Sequence, residues 1–262
     1  MTVPDTDAIH RQWFEPDGST NPAGDAPLIL LHEGLGSISA WGFFPQLLAN
    51  ASGRRLLAYD RLGYGRSGPR PPGPWPAAFL NAEATALPAL LRAEGIERCV
   101  LVGHSDGGSI ALLYPSHTPP DAPAVLGIAA ISSHVFVEDL TVDVIAELHV
   151  AYRSDLGRSL ARHHDDPDAV FGGWTDVWGS ERFRPWVIAD ELAAVTCPTL
   201  VVQGEADAYG TWEQVERTVA GLAGPSEVVG LPGVDHWPHR EATAEVLDRV
   251  SSFADRVDPG VA

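Results

Sequence analysis

The chain predicts an α/β fold, a mostly parallel sheet with helices on both faces and one helical insertion, and three observations carry that prediction. Apolar runs of strand length recur along the sequence, and they are continuous rather than alternating, as in strands covered on both faces. Longer segments of helical character separate them, giving the alternation of a parallel sheet. One interval, residues 132–197, breaks the alternation with helical patterns and no convincing strand.

In chain order, the strand candidates are PLILLH (27–32), RRLLAYD (54–60), RCVLVGH (98–104), AVLGIAAI (124–131), PTLVVQG (198–204) and SEVVGLPG (226–233). Helices are predicted over about 39–51, 77–94, 106–115, 211–222 and 239–255. AIHRQWFEP near the N-terminus adds an antiparallel edge, and GPRPPGPWP (68–76) reads as a stiff proline-rich loop rather than a linker. Within the interruption, Val170, Phe171, Trp174, Val177 and Trp178 fall on one helical stripe, and Val142, Ile145, Leu148, His149 and Tyr152 on another. An insertion of this size at the C-terminal end of a strand reads as a lid. The predicted organisation is a core of residues 1–133 and 191–262 with a helical cap of 134–190.

Composition excludes several functions. The 262 residues, 45% of them hydrophobic, suffice for a large core. Against 35 acidic residues stand 17 basic ones, a balance of −18, and such a surface repels nucleic acid and anionic lipid. Every basic residue is an arginine, so neither a pyridoxal Schiff base nor a phosphate-binding Walker lysine is available, and no cofactor is expected. Cys99 and Cys197 read as small buried hydrophobes of a reducing compartment. The N-terminus lacks the pattern of a secretion signal, and no apolar run approaches the roughly 20 residues of a membrane span. A soluble, cytoplasmic protein is expected, without a membrane or nucleic-acid partner; its oligomeric state is left open.

The chemistry centres on CVLVGHSDGG (99–108), where an apolar strand ends at a serine and passes directly into a helix. Gly103-His104-Ser105-Asp106-Gly107 has the Gly-x-Ser-x-Gly spacing of a nucleophile elbow. Small residues at 103, 107 and 108 let strand and helix backbones approach while the hydroxyl is held in a strained turn. The helix start then offers the Asp106 N–H to a developing oxyanion. A serine needs a histidine to take its proton and a carboxylate to orient that histidine. Asp207, in the turn after one strand, and His236, in the loop after the next, supply them in the order Ser, acid, His. His239 is a rival base, placed at a helix start after Pro238. RHHDDPD (162–168) contains metal-capable side chains, but adjacent residues of a solvated turn diverge, and no metal is expected. Arg153, Arg158 and Arg162 read as a solvated helix face.

Taken in order, LLHEGLGS, DRLGYGRS, GHSDGG, QGEAD and GVDH resemble the α/β-hydrolase fold superfamily over nearly the whole chain. The resemblance implies a central eight-stranded sheet, a helical cap inserted after the sixth strand, and Ser105, Asp207 and His236 as a triad. It also implies a second oxyanion donor in the loop after the third strand. There the commoner His-Gly start is replaced by His32-Glu33-Gly34, with Gly34 the first candidate donor and Leu35 the second. Dehalogenases and epoxide hydrolases of this superfamily carry an aspartate at the elbow apex, whereas Asp106 lies one position late, and hydroxynitrile lyases commonly use a lysine, which is absent. The expected function is a serine hydrolase acting on a small carboxylic ester, thioester, lactone or amide with an apolar moiety. Carbon–carbon hydrolysis on the same triad, or a non-catalytic ligand receptor on the same scaffold, are the alternatives. Trp174, Trp178 and His134 are the candidate pocket residues, and loss of either indole is expected to penalise long acyl chains more than acetate.

Overall fold

A computed structural model describes residues 6–260. Seven strands form one sheet in the order β1-β3-β2-β4-β5-β6-β7: β1 (Arg11–Phe14), β2 (Leu28–Leu31), β3 (Leu56–Tyr59), β4 (Arg98–His104), β5 (Ala124–Ile131), β6 (Thr199–Gly204) and β7 (Ser226–Leu231). Only β1 runs antiparallel, paired with β3; every other neighbour pair is parallel. The eight strands implied by the resemblance are seven among the described residues, because the N-terminal segment contributes a single short strand preceded by a helical turn at Thr6–Ala8.

Continuous apolar runs follow from this covering. Ile29, Leu57, Leu101 and Ile128 face one core with helices α2 (Phe79–Ala93) and α3 (Asp106–His117). Their neighbours Leu28, Leu56, Val100 and Ala129 face the other, against α1 (Phe44–Ser52) and α10 (Thr243–Val257). Successive side chains of a strand alternate sides, so both must be apolar when both sides are packed.

Between β5 and β6 lie α4 (Asp139–Ala151), which continues through a π-turn at Tyr152–Leu156 into α5 (Gly157–Leu160), then α6 (Pro167–Trp178) and α7 (Ala189–Leu192). Helix α6 starts with Asp166, whose carboxylate accepts from the Ala169 N–H. Its stripe of Val170, Trp174, Val177 and Trp178 is buried in the same core as α2 and α3. Between β6 and β7 lies α8 (Trp212–Gly221), and α9 (Pro238–Glu241) precedes α10. Parallel strands put all their C-terminal ends at one edge, so the segments after β2, β3, β4, β5, β6 and β7 converge there.

Candidate active site

Ser105 joins β4 to α3 with φ 52° and ψ −120°, a left-handed conformation that a serine keeps only when its surroundings impose it. The adjoining glycines serve different approaches. A Cβ on Gly103 would collide with the Gly107 carbonyl, so Gly103 lets the helix fold back over its own strand. A Cβ on Gly107 would strike the carbonyl of Leu31, so Gly107 brings the helix against the end of β2. A Cβ on Gly108 would come within 2.8 Å of the Ser133 Cβ, after β5. The Ser105 N–H donates to the Ile131 carbonyl at 2.8 Å, which fixes the turn to the next strand.

The structure brings Ser105, His236 and Asp207 together. Nε2 of His236 lies 3.0 Å from Ser105 Oγ, and its Nδ1 lies 2.9 Å from both carboxylate oxygens of Asp207. A carboxylate accepts, so Nδ1 carries the proton and the lone pair of Nε2 faces the hydroxyl. Asp207 is held in turn by Gln203 Nε2 on Oδ2 and by the Tyr209 N–H on Oδ1, each at 2.8 Å. Burial draws the His236 imidazole below its ordinary pKa, and the bond from Asp207 opposes that shift without reversing it. Burial would raise the Asp207 carboxyl, but the hydrogen bond and charge of His236, the Tyr209 N–H and the charge of His134 together hold it below the usual range. Behind the base, His104 Nε2 donates to the His236 carbonyl at 2.7 Å. The rival His239 is buried against Trp41, Phe44 and His104, and neither ring nitrogen has a hydrogen-bond partner. Burial pushes it down to about 2.

On the opposite side of Ser105, the loop after β2 is braced by its carbonyls. The Glu33 carbonyl accepts from Arg61 Nη2 at 2.7 Å, His32 Nδ1 at 2.8 Å and the Gly36 N–H at 3.1 Å. The Leu35 carbonyl accepts from His164 Nε2 at 3.0 Å. Among the described residues, the N–H groups of Gly34, Leu35 and Asp106 donate to no protein acceptor. Glu33 does not occupy them: its side chain lies 3.7 Å from His104 Nδ1. Burial would raise that carboxyl, but His104, His239 and His32 hold it well below its usual range. The Asp106 carboxylate is buried; it accepts from Trp174 Nε1 at 3.0 Å and lies 3.5 Å from the buried Arg61 guanidinium.

A cavity of about 50 Å³ adjoins Ser105, with Ile145, Leu148, Trp174, Trp178, Tyr209 and His134 in its wall. His134 is fixed by Nε2 donating to the Tyr209 carbonyl at 3.0 Å. A larger cavity, about 520 Å³, lies between the proline-rich loop and α2 and contains no candidate nucleophile. The RHHDDPD segment forms ties between elements: His163 Nδ1 meets Ser39 Oγ at 2.9 Å, while His164 Nδ1 accepts from the Gly65 N–H at 2.9 Å. Arg153, Arg158 and Arg162 are exposed. Sequence reasoning passed over Arg61, His104, His164 and Gln203 as parts of the site. Arg61 stands in the quoted DRLGYGRS, yet only its burial marks it, and clustering with other polar residues concealed His164.

The chain belongs to the Alpha/beta hydrolase family, which it matches over residues 28–249. It is a hydrolase on the α/β scaffold, an enzyme of that family. It is 40% identical over 218 residues to the putative carbamate hydrolase RutD of Pseudomonas savastanoi pv. phaseolicola, covering 76% of this chain and 82% of that one. To a proline iminopeptidase of Levilactobacillus brevis it is 28% identical over 268 residues, covering 87% and 83%. A solved proline iminopeptidase of Mycobacterium smegmatis shares its fold, with a TM-score of 0.71 and 23% identity over 95% of each chain.

Proposed function

We propose that this enzyme is a serine hydrolase cleaving a small carboxylic ester, thioester, lactone or amide through an acyl-enzyme, under a cap formed by residues 134–190. The observation that carries the reading is the unbroken row from Ser105 Oγ through the His236 ring to Asp207, at 3.0 and 2.9 Å. Relatives named as a proline iminopeptidase and a putative carbamate hydrolase support it.

Nε2 of His236 takes the Ser105 proton as Oγ bonds to the acyl carbon, and the carbonyl π-pair moves onto oxygen. That oxyanion is received by the Asp106 N–H and by the Gly34 or Leu35 N–H, which donate to no acceptor among the described residues. Collapse breaks the bond to the leaving group, which departs with the proton from Nε2. Water then attacks the acyl-serine by the same route, giving up its proton to His236, and Ser105 recovers its own. Asp207 keeps the proton of the base on Nδ1 throughout, and no cofactor takes part. The substrate is a small molecule with an apolar moiety, matching the largely apolar wall beside Ser105.

Turnover of p-nitrophenyl acetate and labelling by a fluorophosphonate test the reading. Ser105→Ala is expected to remove labelling and to lower kcat by about four to six orders of magnitude while the thermal melt stays cooperative. Undiminished turnover in the folded variant overturns it.

A further inference from the structure

Resting on the serine-hydrolase reading, we infer that the enzyme takes short acyl groups, of two or three carbons, and that Trp174 sets the limit. The space beside Ser105 is about 50 Å³. Pockets that hold drug-sized ligands measure roughly 300–1,000 Å³, so this far smaller space suits a group on the scale of acetyl or propionyl. Its wall is not an indifferent lining. The Trp174 indole donates through Nε1 to Asp106 Oδ2, on the residue next to the nucleophile. The same nitrogen sits where a Cβ on Gly34 would be. The indole therefore spans the elbow and the loop after β2, and it is nearly as buried as the core, at 6% exposure. Asp106 is not free to swing aside with it, because the buried Arg61 guanidinium lies 3.5 Å from the same carboxylate oxygen.

Trp178, one turn further along α6, backs the wall and is itself fixed by Phe183 at 4.9 Å, His134 at 5.3 Å and Trp186 at 6.0 Å between ring centroids. Trp174 lies against Trp178 at 6.2 Å between ring centroids and has its one polar tie in the bond to Asp106, and the chain-length effect of removing it reverses the one expected from the stripe alone. An indole that fills the acyl space excludes long chains rather than gripping them, so its loss admits them.

The experiment is a kcat/KM series with p-nitrophenyl acetate, propionate, butyrate and hexanoate. For the native enzyme we expect a fall of more than tenfold from acetate to hexanoate. An open apolar site would instead gain about fourfold per methylene, from roughly 0.8 kcal/mol per buried CH₂. Trp174→Ala is expected to raise the hexanoate-to-acetate ratio at least tenfold, and Trp174→Phe, which keeps most of the bulk, to retain the native order. A native profile that climbs with chain length overturns the inference, as does a folded Trp174→Ala enzyme with an unchanged ratio. If that variant does not fold, the native profile alone decides. Absence of any Ser105-dependent turnover removes the hydrolase reading and this inference together, whereas Ser105-dependent turnover with a climbing profile removes this inference only.

Discussion

In the proposed mechanism His236 acts as a base only while Nε2 keeps its lone pair, and the surroundings of the ring set how far into acid that condition holds. Burial lowers its pKa from the ordinary 6.5, and Asp207 restores only part of the loss. Protonation below the depressed value removes the base, so kcat/KM for p-nitrophenyl acetate is expected to fall as pH drops, with a midpoint under 6.5. His239→Ala should keep that limb where it is, since the ring of His239 makes no hydrogen bond, and His236→Ala should abolish most activity. A pH–rate profile of the three proteins checks both statements. At this scale the spacing of Gly103, Ser105 and Gly107 was legible because an elbow demands small residues around one hydroxyl. Arg61 and His104 were not: nothing in a local pattern says that an arginine or a histidine will be buried.

Elements were legible where one period dominates. The six apolar runs became β2 to β7 with ends shifted by no more than two residues. The helix expected over 39–51 is instead a short turn and α1, separated at Gly42 with φ 61°. That over 239–255 divides at Ala242 into α9 and α10. Such breaks depend on what each backbone packs against, which periodicity does not report. The insertion shows the same limit more strongly. Its stripes were visible, but part of its attachment is made by polar atoms that no stripe reports: His164 joins the Gly65 N–H to the Leu35 carbonyl, and the Asp165 N–H donates to the Gly65 carbonyl at 2.9 Å. His164→Ala leaves the buried Gly65 N–H and the part-buried Leu35 carbonyl without their partner. It is expected to cost about 1–3 kcal/mol in denaturant melts and to lower kcat for acetate more than it raises KM, because the loop bearing the Gly34 and Leu35 N–H groups loses a brace. Equal kcat with a reduced melting temperature would assign His164 to stability alone.

For the whole molecule, the end of α10 and the residue after it are fastened to the starts of β2, β3 and β4 by an ionic cluster. Arg54 lies under β3 with its guanidinium 2.7 Å from Asp258 and 3.1 Å from Asp255, and Asp258 also accepts from the Ala26 N–H at 2.9 Å and from Arg98 at 2.7 Å. Asp258→Ala removes the buried carboxylate from Arg54 and leaves only the half-exposed Asp255 beside its charge; it is expected to destabilise by about 3–5 kcal/mol, read by urea titration, with kcat for acetate unchanged because the cluster lies away from Ser105. A loss under 1 kcal/mol would show that Asp255 alone satisfies the arginine. Among the described residues, no helix is long and apolar enough to cross a membrane. What the sequence by itself determined is the parallel sheet and the chain positions at which Ser105, Asp207 and His236 leave it, because strand hydrophobicity and turn chemistry are local properties. Only the tertiary structure decided that His236 rather than His239 meets the serine, that Trp174 bonds to Asp106, and that Arg61 and His164 brace the loop beside them. Those contacts join residues from 28 to 131 positions apart, and no pattern along the chain encodes a distance between segments that meet only when the sheet closes its core.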